Sequence, residues 1–223
     1  MPPESISNQR MRMADIVIRL KREYPDSRCS LIYESPFQLL VSTILSAQCT
    51  DERVNKVANK LFAKYPSAKD FEKLQLDTIK KAIYSTGFYN NKAKSIKGMA
   101  IAVIDRHGGK LPDNLEDMVK LPGVGRKTAN VVLGNVYNIP SVVVDTHVTR
   151  ITNLLKFVKT RDAVKIEQKL MKIINRNDWT LFAHLLIDHG RAICIANRPR
   201  CDACIVAELC PSNKGGNLHD TIN

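Results

Sequence analysis

The sequence predicts an all-α protein, on three observations. Apolar residues recur at helical spacing along nearly the whole chain, β-branched runs are short, and Ser, Thr and Asp stand where helices need N-caps. Residues 10–23 place Met13, Ile16, Val17 and Leu20 on one side and Arg or Lys on the other, stopping before Pro25. Ser35-Pro36 opens a second helix, with the proline at the first helical position, running through Leu39, Leu40, Ile44 and Leu45 to about Gln48. Thr50 and Ser67 cap the next two, and further helical patterns cover 77–84, 91–106, 114–120 and 126–138, punctuated by Gly87 and Gly108-Gly109. Ser141-Val142-Val143-Val144 is the one extended stretch and is too short to seed a sheet. Helices resume near Asp145, Asp162 and Asp178, and residues 211–223 form a polar tail expected to fray.

A chain of 223 residues suffices for one or two domains with a sizeable core, and 44% apolar with 25% charged residues excludes a disordered protein. No apolar run approaches the roughly 18 residues of a membrane span. The start Met1-Pro2-Pro3-Glu4-Ser5 lacks the pattern of a secretory signal, so a reducing compartment without disulfides is expected. Thirty-four Lys and Arg against 22 Asp and Glu leave +12, a field that favours polyanions, nucleic acid first among them. Six Phe, six Tyr and one Trp are unlike the aromatic face of an RNA-binding sheet.

Four of the six cysteines, Cys194, Cys201, Cys204 and Cys210, fall in the order Cys-x6-Cys-x2-Cys-x5-Cys. Thiolates that close in a reducing compartment point to a metal centre rather than disulfides. One close pair flanked by single cysteines suits the wide wrap of an iron–sulfur cubane better than the two close pairs usual for structural zinc, which stays the alternative. Cys29 and Cys49 stand apart and are expected to be buried free thiols.

Leu121-Pro122-Gly123-Val124-Gly125-Arg126-Lys127 joins two helical stretches through a turn that glycines permit. Its exposed N–H groups and the positive end of the following helix would hold a phosphate of a nucleic-acid backbone. It is not a nucleotide-binding P-loop, since Arg126 precedes Lys127 where that motif has glycine and no strand leads in. Lys127, in the first turn, is either one more phosphate contact or an attacking amine. Eighteen residues later Asp145 stands where an apolar run meets a helix, as an N-cap or as a carboxylate that stabilises an oxocarbenium ion and handles protons.

The hairpin, Lys127, Asp145 and the four cysteines together resemble the endonuclease III family of DNA glycosylases in the helix-hairpin-helix-GPD superfamily. The likeness spans about residues 10–210 and includes Leu45-Ser46-Ala47-Gln48, Thr50-Asp51, Tyr89-Asn90, His189-Gly190-Arg191 and Arg198-Pro199-Arg200. It implies two helical domains with a cleft between them. One is a six-helix domain over 29–139; the other joins 1–28 to 140–223, carries a [4Fe–4S] cluster on the four cysteines and ends in a flexible tail. It further implies an enzyme of base excision repair that removes oxidised or reduced pyrimidines, flipped from the stack, and then cuts the abasic strand.

On that resemblance Lys127 attacks C1′ and forms a Schiff base, and Asp145 assists. Gln48 enters the gap left by the flipped nucleotide, Phe88 wedges the opposite strand, and Gly123, Val124, Gly125 and Arg126 grip the backbone. His147, Arg191, Arg198 and Arg200 complete the DNA contacts. Phe88 departs from the leucine of well-known members, which bears on opposite-base preference. The expected partner is double-stranded damaged DNA, engaged by a monomer in the cytoplasm at the nucleoid, with no membrane. Rival readings are a non-catalytic DNA-binding module and an iron–sulfur redox sensor, neither of which needs a nucleophile.

Overall fold

The computed structural model describes residues 4–213, and among them every regular element is helical, as the apolar spacing predicts. The α-helices in chain order are α1 (Ile6–Glu23), α2 (Pro36–Leu45), α3 (Asp51–Lys64), α4 (Ala68–Lys73), α5 (Leu76–Ile83), α6 (Tyr89–His107), α7 (Leu115–Met118), α8 (Arg126–Val136), α9 (Thr146–Leu154), α10 (Ala163–Ile173) and α11 (Trp179–Ala192). Short 3-10 turns cover Tyr84–Thr86, Arg176–Asp178, Cys201–Ala203 and Ala207–Leu209. No described helix is long and apolar enough to cross a membrane. The chain divides into two compact units, Ser30–Ile139 and Met1–Cys29 with Pro140–Asn223.

In the first of these, α2 is the centre. Every residue from Phe37 to Leu45 is buried, which a helix apolar on all sides requires, and α3, α6 and α8 pack around it. Its polar members are satisfied at home: Thr43 Oγ1 donates to Leu39 O at 2.7 Å, and Gln38 Oε1 accepts from Glu34 N at 2.8 Å. Ser35 caps the start as expected. The end differs from expectation, for the helix stops at Leu45 and Gln48 lies outside it at φ 52°.

In the other unit α1 packs on α10 and α11, and α9 on α11. Helix α1 begins at Ile6, four residues before the apolar pattern does, because Ser5 accepts from Asn8 N at 3.2 Å and caps a polar first turn. Asp145 and Asp162 cap α9 and α10. The stretch Ser141–Val144 pairs with no strand; its three valines are buried instead. Of the tail expected to fray, Ser212 donates to Leu154 O at 2.6 Å and Asn213 to Ala207 O at 3.2 Å, while 214–223 lie outside the described residues. Cys29 and Cys49 are half-buried rather than buried, each lying where the chain leaves one element for the next.

Candidate active site and cysteine loop

The hairpin sits flat on α6. Gly123 has φ +75°, and a Cβ there would fall 2.4 Å from Ser95 Cβ, so both the turn and the contact require glycine. Leu121 and Val124 are buried, and Val124 N–H donates to Leu121 O at 3.1 Å, so Val124 shapes the hairpin from inside. Helix α8 opens with Ala129 N–H on Gly125 O at 2.9 Å. Its N-cap, Gly125, makes no side-chain cap, unlike Ser35, Thr50, Ser67, Asp145 and Asp162 at other helices. The N-cap residue therefore brings no side chain of its own to the positive end of this helix. Arg126 and Lys127 are exposed at this end.

The neighbouring amine of Lys120 is differently placed. It lies 3.0 Å from Asp117 Oδ1 and 3.3 Å from Glu116 Oε1, and these hydrogen bonds hold its pKa above the usual lysine range.

Gln48 and Phe88 are both exposed, Phe88 by 63%, and both occupy the left-handed region, at φ 52° and 48°. For Phe88 this is unusual, because it is the N-cap of α6, a position that normally has extended backbone. Strain of this kind persists only where surrounding structure enforces it, and it concentrates at functional sites.

In the unit containing α9 and α11, Asp145 Oδ1 accepts from Val148 N at 2.8 Å. Capping therefore engages one carboxylate oxygen. His147, two residues on, lies against Gly190: a Cβ at 190 would fall 2.4 Å from His147 Nδ1, so α9 and α11 approach closely only with glycine there. Burial lowers the His147 pKa, with Asp145 acting the other way, and leaves the ring neutral near pH 7. Arg191, Arg198 and Arg200 are exposed, and Arg200 also donates to Ala192 O.

Cys194, Cys201, Cys204 and Cys210 line one cavity of about 500 Å³, with Ile151, His189, Pro199 and Val206 also in its wall. Burial pushes the Cys194 thiol up to about 11, with Arg150 opposing and the other thiols adding. Cys201 and Cys204 are raised chiefly by burial, while Val206 N–H donates to the Cys204 sulfur and works in the opposite direction. Thiols raised like these three ionise together only around positive charge. The four sulfurs share the wall of that one cavity, and as they stand no three of the described His, Cys, Asp and Glu groups are close enough together to hold a single ion.

The polypeptide around this cavity is held by arginines whose role the sequence pattern does not announce. Arg12 donates to Leu209 O at 3.1 Å, Arg19 to Ile205 O at 3.0 Å and Arg150 to Cys194 O at 2.5 Å. The signal for them is weak: each stands on a helix flank that reads as solvated charge.

A helical chain with a glycine hairpin in one unit and a four-cysteine loop in the other defines a class. Residues 41–176 match the model of the HhH-GPD superfamily of base excision DNA repair proteins, and the chain belongs to that family. Within it the chain is 47% identical over 208 residues to Endonuclease III of Synechocystis, covering 93% of this chain and 95% of the relative. It also matches the structure of a trapped covalent intermediate between Endonuclease III and DNA, with TM-score 0.87 and 38% identity, over 92% of this chain and 97% of that one. A thermostable thymine-DNA glycosylase superposes with TM-score 0.83 at 25% identity, over 94% and 99%.

Proposed function

We propose that this protein is a bifunctional DNA glycosylase and abasic-site lyase that removes oxidised or reduced pyrimidines, with Lys127 as nucleophile. The observation that carries the reading is Lys127 itself, exposed in the first turn of a helix without a side-chain cap, in a chain similar to one trapped covalently on DNA. A non-catalytic hairpin clamp needs no such amine. Lys120 is instead engaged by Asp117 and Glu116, whose carboxylates lie 3.0 and 3.3 Å from its amine.

The Lys127 amine forms a bond to C1′ as the C1′–N bond to the base breaks, and the base leaves with a proton. Loss of the second amine proton and opening of the sugar give the Schiff base. Removal of a C2′ proton then expels the 3′ phosphate with the C3′–O electron pair, and water returns the free amine. Asp145 stabilises positive charge developing on the sugar and accepts a proton. The uncapped end of α8 and the hairpin hold a backbone phosphate. Gln48 fills the gap, Phe88 wedges the facing strand, and Arg191, Arg198 and Arg200 contact phosphates. His147, neutral, contributes contact rather than charge.

The four cysteines would hold a [4Fe–4S] cluster, which supplies cross-links that organise the loop bearing Arg198 and Arg200. The protein acts as a monomer on double-stranded damaged DNA, in the cytoplasm.

Borohydride during turnover tests the nucleophile: a reduced protein–DNA adduct mapped to Lys127, and its loss with strand cleavage in Lys127→Gln while lesion DNA still binds, is the expected result. An adduct that survives Lys127→Gln overturns the assignment.

A further inference from the structure

Lys92 is the one Lys or Arg among the described residues that is buried, 5% exposed, near the start of α6. Burying an ammonium is costly unless its protons find acceptors. Its Nζ donates to Leu45 O and to Thr86 O, both at 2.8 Å. Neither acceptor is a carboxylate. Each is the last carbonyl of a helical segment, Leu45 closing α2 and Thr86 closing the 3-10 turn Tyr84–Thr86, where a cation meets the negative end of the backbone dipoles. Desolvation holds the Lys92 pKa below the usual lysine range, so the two carbonyls only partly replace water.

Both carbonyls lead directly into strained backbone. Three residues beyond Leu45 stands Gln48, and two beyond Thr86 stands Phe88. Four non-glycine residues among those described have positive φ, but Asn138 and Lys156 come just after helix ends, where left-handed backbone is common. Gln48 and Phe88 are the other two. Both side chains are exposed, so core packing of the side chain does not set their backbone; the constraint comes through the main chain on either side. Cys49 N–H returns to Ser46 O at 3.1 Å, Gly87 N–H to Tyr84 O at 3.4 Å, and Thr86 Oγ1 to Ile83 O at 2.8 Å. Lys92 is bonded to both turns at once.

We propose that Lys92 is a positioning residue that clamps the Gln48 turn and the Phe88 turn into one rigid element, so that the two side chains enter the duplex as a pair. The inference rests on the proposed function, in which Gln48 and Phe88 are the side chains that enter DNA. Pre-ordering both strained turns removes an entropic cost from binding a duplex with a gap, and leaves phosphate contacts elsewhere untouched.

The test uses the full protein and a duplex with a tetrahydrofuran abasic analogue facing 2-aminopurine, whose fluorescence reports unstacking. Lys92→Met keeps the stem and removes the donors. It should lose about tenfold in affinity for the abasic duplex, the scale of the strain no longer held, and lose most of the fluorescence rise. Affinity and salt slope on undamaged duplex should stay put. In the parent protein Gln48→Ala and Phe88→Ala should be non-additive, and in the Lys92→Met background additive. Unchanged abasic affinity and unchanged coupling overturn the clamp. If Gln48→Ala and Phe88→Ala themselves leave binding and fluorescence unchanged, the insertion reading is what fails, and the clamp with it. Should Lys92→Met not fold, hydrogen exchange on the unaltered protein decides: the Cys49 and Gly87 amides should open with one free energy and one denaturant dependence, and two distinct openings overturn the proposal.

Discussion

In the helical unit Ser30–Ile139, α2 is buried from Phe37 to Leu45, with three neighbouring helices packed around it. In the loop from Cys194 to Cys210, by contrast, Val206 is the one buried apolar residue, and the backbone is held by Arg12, Arg19 and Arg150 on its carbonyls. The first arrangement rests on a non-directional effect that tolerates imprecision; the second rests on a few directional bonds and on whatever the four thiols bind. A region built in the second way presents arginines outward on a short irregular segment, which suits a phosphate-contacting surface, and a cluster on its four thiols would add cross-links to it.

The largest expected effect therefore falls on the loop. Cys201→Ser should lose the iron–sulfur absorbance and stoichiometric iron, and should abolish hydrogen-exchange protection between Cys194 and Cys210, while the α2 amides keep theirs. Full loop protection in a metal-free variant would falsify the contrast.

Next comes Leu40→Ala, which opens a cavity in the centre of the other unit. It should cost about 4 kcal/mol in denaturant unfolding, with iron content unchanged. A loss below about 1 kcal/mol, under the range for a buried leucine, would show that α2 is not the centre its burial indicates.

Arg12→Ala should cost about 2–3 kcal/mol, for this side chain bonds Glu4, Leu155 O and Leu209 O and lies 4.0 Å from the centre of the Phe157 ring. Faster exchange should appear near Leu209, next to Cys210. If the loss is confined to α1, the arginine does not hold the loop.

The smallest effect concerns acid. The Arg12 guanidinium beside Glu4 holds that carboxyl below its ordinary value of 4.5. A depressed folded pKa gives stability present above the unfolded value of 4.5 and lost as the pH falls through the folded value. Glu4→Gln should flatten that part of the acid-unfolding curve by lowering stability slightly at neutral pH, with no change once the pH is below the folded value. An identical acid limb in the variant would show that Glu4 contributes nothing to acid stability.

Local signals in the chain are enough for much of this architecture. The caps Ser35, Thr50, Ser67, Asp145 and Asp162 act on N–H groups two or three residues away, so their positions announce the helices. The all-helical class, the glycine hairpin before α8 and the clustering of four cysteines are set by spacing over a few residues. Family membership is likewise carried by short motifs in order. What tertiary structure alone decided is where the pattern stops being local. The end of α2 at Leu45, ahead of the expected limit near Gln48, and the left-handed backbone of Gln48 belong with a lysine 47 residues from Leu45. The arginines on the cysteine loop act across separations of up to 197 residues. Periodicity marked Lys92 and Arg12 only as charges, because a sequence pattern shows which residues can be polar and not which carbonyl, far along the chain, folding will bring to them.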